Sequence, residues 1–356
     1  VIVNARFLTQ RLTGVQRHAI EMSLALKEIH PDIKFVAPKN IIHKDIAEQL
    51  KAKVIGRFTG YLWEQYELPM YMKKHASGKI LINLANTAPV ASKNKVATIH
   101  DTAPLRHPEW YSWKFAAAYK LLIPRVAKSS RIIFSDSNFS KSEIADLFGI
   151  DHDKIIVIYC GVGQQFQSAI SDEQNISPED YILCVASLEP RKNFIRLVKA
   201  FNHLKSHNLK LVIAGSSSSI FADNKLHKML DDSKRIEFTG YIDDDRLIEL
   251  YQEARLFVYP SLYEGFGLPP LEAMACGCPC AVSNAGSLPE VCGKAALYFN
   301  PYDPADIAEK MDMILSDNVL GQNLIENGLL HAQKFDWNKS ASELLEAILS
   351  LDKPSD

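Results

Sequence analysis

Four side chains of this sequence have types and positions suited to gripping a polyanion and a polyhydroxylated group: Arg191, Lys192, Glu264 and Glu272. The two glutamates bracket seven residues within YPSLYEGFGLPPLEAMACG, residues 259–277. A buried-strand pattern, ARLFVY at 254–259, leads into that stretch. The chain then turns through Glu264-Gly265-Phe266-Gly267 and enters a helix at Pro269 or Pro270, because proline is favoured at a first helical position; Gly277 marks the helix end. Glu264 is therefore expected on a glycine-flexed loop at a strand end, and Glu272 in the first turn of the following helix. The free N–H groups and positive dipole end of such a helix make a seat for phosphates. Carboxylate oxygens accept hydrogen bonds from sugar hydroxyls. A strand, a loop and a helix carrying two solvated glutamates are also common in α/β proteins, so spacing alone favours the bland alternative.

Arg191 and Lys192 follow the strand expected at 181–187 and precede a helix at 194–204. Two cations at a helix N-terminus oppose its dipole, so helix stability does not account for them and a bound polyanion would. Two more strand ends carry candidates. Gly14 closes a polar loop between a strand at 1–5 and an amphipathic helix at 15–29, whose apolar positions are Val15, Ala19, Met22, Leu26 and Ile29. A glycine there lets backbone approach a ligand closely, and a plain turn glycine fits equally well. The strand at 95–99 ends in His100-Asp101-Thr102, with Arg106 close behind, and ligands of open α/β sheets sit at such ends.

The elements that would position these residues form two series of alternating strands and helices. The first has strands at 33–38, 80–84, 95–99, 131–135 and 154–159. The second starts at 181 and continues with strands at 209–214 (ending at Gly215 and a run of serines), 236–239 (ending at Gly240-Tyr241), 256–259, 280–283 and 296–299. A polar run at 168–180 reads as the linker. The expected organisation is a domain over 1–166, a linker over 167–180 and a domain over 181–337. Gly161-Val162-Gly163 loosely echoes a dinucleotide fingerprint, and we reject it because no helix pattern follows. The aromatic segment 57–74 reads as a helix that packs into the core, with a surface amphipathic helix as the other use.

Composition sets the class. The 356 residues, 47% hydrophobic and 23% charged, suit a two-domain globular protein. Residues 1–165 hold 23 Lys and Arg against 14 Asp and Glu, and the remainder 17 against 28. A basic first half suits an anionic membrane surface or a lipid pyrophosphate, or is simply solvated. The basic residues are spread out and no recognition motif accompanies them, which argues against nucleic acid. No apolar run reaches the length of a membrane helix and no leader pattern opens at Val1, so we expect a cytoplasmic chain, peripheral to the inner membrane face where its basic half makes contact. Six cysteines suit a reducing compartment. Cys276-Gly-Cys-Pro-Cys fits no common zinc spacing, and no metal is expected.

Several strings agree on one family: TGVQR at 13–17, TIHDTAPLRHPE at 98–109, VASLEPRKN at 185–193, FTGY at 238–241, the Glu264-to-Glu272 segment and FDW at 335–337. Along nearly the whole chain they resemble the retaining glycosyltransferases of family GT4, and within it the bacterial mannosyltransferases of polysaccharide and O-antigen chains. The resemblance implies the α/β fold called GT-B: two Rossmann-like domains facing across a cleft, with the last helix, 338–352, crossing back to the first. It implies a nucleotide-sugar donor, GDP-mannose favoured and a UDP-sugar as the other choice, and no cofactor. Arg191 and Lys192 would neutralise the diphosphate, and Glu272 would bind the ribose. Glu264 with Phe266, Gly267 and Leu268 would hold the donor sugar and phosphate. Gly240, Tyr241 and Ile242 would line the base, and Gly215 and Ser187 the rest of the donor pocket. From the first domain, Gly14 would approach the diphosphate and His100 the transferred sugar, with Asp101 and Arg106 on the side of a saccharide or lipid-pyrophosphate-saccharide acceptor. Many relatives have paired glycines where this chain has only Gly14. A sugar-nucleotide epimerase, or a binding module without turnover, would use similar donor residues.

Overall fold

The computed structural model describes residues 1–167, 179–206, 208–215 and 234–351. The expected linker core at 168–178 and the serine run at 216–219 lie outside the described residues. The chain forms two compact units. The first comprises Val1–Arg106, Lys114–Gly161 and Asp336–Asp356; the second comprises His107–Trp113 and Val162–Phe335.

The first unit is built on seven strands: β1 (Ile2–Asn4), β2 (Lys34–Ala37), β3 (Lys53–Val54), β4 (Leu81–Asn83), β5 (Lys95–Thr98), β6 (Ile133–Ser135) and β7 (Ile155–Val157). All pair in parallel in the order β3-β2-β1-β4-β5-β6-β7. The second unit has β8 (Glu179–Val185), β9 (Lys210–Ala214), β10 (Ile236–Gly240), β11 (Ala254–Tyr259), β12 (Cys280–Ser283) and β13 (Leu297–Phe299). They are also parallel, in the order β10-β9-β8-β11-β12-β13. Parallel sheets need helical crossovers that cover both faces, so their central strands are largely apolar. Leu256, Phe257, Val258 and Tyr259 are all buried, as are Ile82, Val96, Ala97 and Ile133.

Both sheets have a switch point, where the strand order reverses: between β1 and β4 in the first and between β8 and β11 in the second. There the loops leaving adjacent strands part to opposite faces and open a crevice at the carboxyl ends.

The helix Gly14–Ile29 follows the expected periodicity and buries Ala19, Met22 and Leu26. The last helix, Trp337–Ser350, packs along it and belongs to the first unit. The helical stretch from Gly60 to His75 includes a π-helical turn at Trp63–Glu67. Pro69 withholds an N–H just beyond this turn, and the wider turn shifts the faces of the helix. Trp63, at the start of the turn, is buried, and Tyr66 within it is exposed, as are Phe58 and Tyr61 ahead of it. Core packing, the expected use of this segment, holds only for part of it. Gly163 is followed at once by a one-turn helix, Gln164–Gln167, where no helix was expected. All six cysteines are free and buried. Among the described residues no helix is long and apolar enough to cross a membrane.

Candidate active site

The loops that leave β8 and β11 flank the switch point of the second sheet and are fastened to each other. The β8 loop makes one tight turn, Pro190–Lys192. It ends at Asn193, which holds a left-handed φ of 62° and begins the helix Phe194–His203. Asn193 Nδ2 donates to the carbonyls of Pro260 (3.0 Å) and Pro301 (2.7 Å), and Leu262 N–H donates to Arg191 O (2.7 Å). These bonds fix the strained asparagine and set Arg191 and Lys192 against the β11 loop.

A continuous polar chain runs between the two loops. Ser187 Oγ donates to Glu189 Oε1 (2.6 Å), and Arg191 Nε donates to Glu189 Oε2 (2.7 Å). Arg191 Nη1 reaches Glu264 Oε2 (3.1 Å), and Lys192 Nζ reaches both Glu264 Oε1 (2.6 Å) and Tyr259 Oη (2.7 Å). Two cations and two carboxylates thus share one largely buried site. Burial by itself pushes the Glu264 carboxyl up; Lys192 and Arg191 outweigh it and hold it at about 2. Lys192 bears the cost, since burial and the neighbouring guanidinium lower its pKa against the pull of Glu264. Burial and the Glu264 charge keep the Tyr259 phenol neutral. Part of the counter-charge for Arg191 and Lys192 is therefore Glu189 and Glu264, so a bound polyanion is not the sole account of these cations.

Two glycines are required by close approach. A Cβ on Gly286 would lie 2.8 Å from Glu264 O and 2.9 Å from its N, so the loop after β12 can press against Glu264 only as glycine. A Cβ on Gly215 would lie 2.1 Å from Ala186 O, and Gly215 N–H donates to Gly240 O (2.9 Å). This draws the exits of β8, β9 and β10 together beneath Ser187. Tyr241 and Ile242 follow on the outer loop after β10, Tyr241 exposed and Ile242 half-buried.

The helix after Glu264 is Leu268–Ala275, with Gly267 (φ 110°) as its N-cap residue and Pro269 at its second position. Glu272 is therefore in the second turn, not the first, because the helix begins one residue earlier than proline suggests. Phe266 is buried, and its carbonyl accepts from Ser287 Oγ (2.7 Å). Glu272 is also buried; its Oε2 accepts from Tyr251 Oη (3.2 Å), and burial and this carboxylate drive the Tyr251 pKa up. Gly277, left-handed at φ 76°, ends the helix as expected.

The other candidates lie in the first unit. Gly14 is the first residue of its helix, and an added Cβ would meet nothing within 4 Å, so packing does not demand glycine there. His100 is buried with both ring nitrogens engaged: Nδ1 with Asp136 Oδ2 (2.6 Å) and Nε2 with Leu84 O (3.0 Å). Both partners are acceptors, so both nitrogens carry protons and the ring is an imidazolium. Burial opposes this charge; the Asp136 carboxylate outweighs it and raises the pKa. His100 N–H donates to Asn86 Oδ1 (2.9 Å), and Asn86 is itself left-handed at φ 61°. Asp101 Oδ1 accepts from Ala103 N–H (3.1 Å), and Arg106 makes a two-pronged pair with Glu143 at 2.6 and 2.9 Å. The sequence reasoning missed Asp136, Asn86, Glu189 and Asn193. Of these, only Asp136, directly after β6, carried a signal, its position at a strand end.

Comparison with known proteins agrees with this architecture. Residues 12–165 match the model of "Glycosyltransferase Family 4", and residues 166–331 that of "Glycosyl transferases group 1". The O-antigen chain mannosyltransferase B of Escherichia coli is 31% identical over 71% of this chain and 69% of its own length. The serotype-specific mannosyltransferase WbdA of E. coli is 32% identical over 72% of this chain, which spans only 33% of that protein. Anabaena HepE, solved with UDP and glucose, superposes with a TM-score of 0.74 at 19% identity, over 98% of this chain and 99% of its own. With its two parallel sheets and these relatives, the chain belongs to glycosyltransferase family 4 and has the GT-B fold.

Proposed function

We propose that this chain is a retaining, metal-independent hexosyltransferase. It would move mannose from GDP-mannose to a growing polysaccharide or lipid-linked saccharide in the cytoplasm. The observation that carries this reading is the Ser187–Glu189–Arg191–Glu264–Lys192 chain at the switch point of the second sheet. Breaking a sugar–diphosphate bond leaves its electron pair on the diphosphate, and stabilising that charge is the main catalytic need. Arg191, Lys192 and the amides of Phe266, Gly267 and Leu268 meet it with fixed cations and dipoles. Glu264 helps to hold the donor sugar as positive charge grows at its anomeric carbon. Glu272 takes the ribose hydroxyls, Tyr241 and Ile242 flank the base, and Asp101 and Arg106 serve the acceptor. The acceptor oxygen attacks from the leaving-group face and gives its proton to the departing phosphate oxygen. The names of the E. coli relatives support mannose.

The helix Trp113–Ser129 supports a membrane-bound acceptor. It contains no acidic residue and exposes Trp113 (75%) and Leu121 (60%) among Lys114, Lys120, Arg125 and Lys128. Aromatic and basic side chains together suit an anionic lipid surface.

The test is turnover of GDP-mannose, UDP-sugars and dTDP-sugars with a lipid-linked saccharide acceptor, with NMR of the product. We expect GDP release, an anomeric configuration equal to that of the donor, and no gain from Mg2+ or loss on brief EDTA treatment. An inverted product, or a strict divalent requirement, overturns the mechanism. Turnover of another nucleotide-sugar replaces the donor.

A further inference from the structure

His18, Asp136 and Cys160 come from three parts of the first unit: the Gly14–Ile29 helix, the end of β6 and the loop after β7. One ligand atom from each lies within 4.8 Å of the other two. All three residues are buried, at 3%, 4% and 2% exposure. The interior of this cluster is unsatisfied. Neither Asp136 Oδ1 nor His18 Nδ1 has a hydrogen-bond partner. The nearest approach between the two side chains, His18 Nε2 to Asp136 Oδ1, is 3.6 Å, too long for a good hydrogen bond. Orphaned buried polar atoms cost ~1–3 kcal/mol each, so a fold that keeps them here has a use for them.

A shared cation, held by one imidazole nitrogen of His18, would supply the partner that Asp136 Oδ1 lacks. Ligand bonds of ~2.0–2.3 Å in tetrahedral array put ligand atoms roughly 3.3–3.8 Å apart; His18 Nε2 and Asp136 Oδ1 already have that spacing at 3.6 Å, and the Cys160 thiol, within 4.8 Å of both, closes the set with a small shift. The donor set is an imidazole, a carboxylate and a thiol. It suits zinc or a similar borderline metal, whereas magnesium and calcium take oxygen ligands. A neutral imidazole ligates through the lone pair of one ring nitrogen. On binding, the S–H bond breaks, its proton leaves to solvent and an S–metal bond forms. Thiolate and carboxylate together then offset the charge of a divalent ion, which leaves the His100 imidazolium as the remaining buried charge beside it. His100 Nδ1, 2.6 Å from Asp136 Oδ2, orients the carboxylate from outside the ligand set.

We propose that His18, Asp136 and Cys160 form a structural site for a zinc-type divalent cation that staples the first helix to the ends of β6 and β7. It would be an ion of the first unit, separate in role from the cations assigned to the diphosphate, and its test makes no use of turnover.

The experiment strips the full chain with 1,10-phenanthroline and titrates it with Co2+. One equivalent per chain should give the visible bands of tetrahedral cobalt and a near-ultraviolet thiolate-to-cobalt band. Cys160→Ser should lose the near-ultraviolet band, Asp136→Asn should weaken Co2+ binding at least tenfold, and Cys276→Ser should change nothing. Zn2+ should displace the cobalt and raise the melting temperature of the parent chain but not of Asp136→Asn. Should Cys160→Ser fail to fold, Cys160→His retains a ligand and must still lose the thiolate band. Absence of cobalt bands in the parent chain, or bands indifferent to position 160, overturns the proposal.

Discussion

Replacing Glu264 with glutamine keeps the shape of the side chain and removes its charge. Arg191 and Lys192 then face each other in a largely buried site with Glu189 as their remaining carboxylate. In the parent chain the two cations hold the Glu264 carboxyl at about 2 rather than 4.5. That depression corresponds to ~3 kcal/mol of stability at neutral pH. The folded value lies below the unfolded one, so this stability is fully present above the unfolded pKa and is lost as pH falls through about 2. Denaturant unfolding at a series of pH values reads the quantity directly. We expect Glu264→Gln to be less stable by ~3 kcal/mol at neutral pH, or by roughly 6–12 °C in melting temperature. The gap should stay level down to about pH 5 and close only below that. A gap under ~1 kcal/mol at neutral pH, or one that closes on moving from about pH 8 to 6, would show that the cations do not hold this carboxylate as described.

Further outcomes follow from the same geometry. Gly286→Ala forces a Cβ to 2.8 Å from Glu264 O, and should cost ~2–3 kcal/mol and remove the thermal shift induced by GDP. Tyr251→Phe takes away the phenol that donates to Glu272; steady-state kinetics should show a donor KM raised roughly tenfold with kcat little changed, and an unchanged KM would detach Glu272 from the donor. The double change Trp113→Ala with Leu121→Ala should abolish flotation with vesicles containing anionic lipid while leaving turnover of a water-soluble acceptor intact. Flotation of the parent chain should fall steeply as salt rises.

Short-range patterns made the loops at 189–193 and 259–268 legible in the sequence. An apolar hexamer, a glycine pair and prolines fix where a strand ends and a helix begins, and the charged residues follow from their place in that order. The turn that carries Glu272 was misjudged because the helix begins at Leu268, ahead of Pro269. The aromatic segment 57–74 packs into the core only in part: Phe58 and Tyr61 are exposed ahead of the π turn, and within it Trp63 is buried while Tyr66 is not. Of the partners of His100, Asp136 had a local mark only in its place at a strand end, and Asn86 and Leu84 had none. Asp136, Asn86 and Leu84 approach it only through the parallel order of β4, β5 and β6. Likewise, nothing local distinguishes Glu189 from an ordinary exposed glutamate until Arg191 folds back on it.

The composition of the first unit from three separate stretches has a consequence for its biosynthesis. The helix Trp337–Ser350 packs along Gly14–Ile29, sets the Trp337 ring 5.4 Å from His18 and donates from Ser340 Oγ to Tyr159 O (2.7 Å). At ~5–20 residues per second, a ribosome needs on the order of 10–30 s to add the second unit before it reaches this helix. Throughout that interval the early-made strands and helices wait with an apolar groove open, while the second unit is completed in sequence. The second unit is therefore fully made before the first can be sealed.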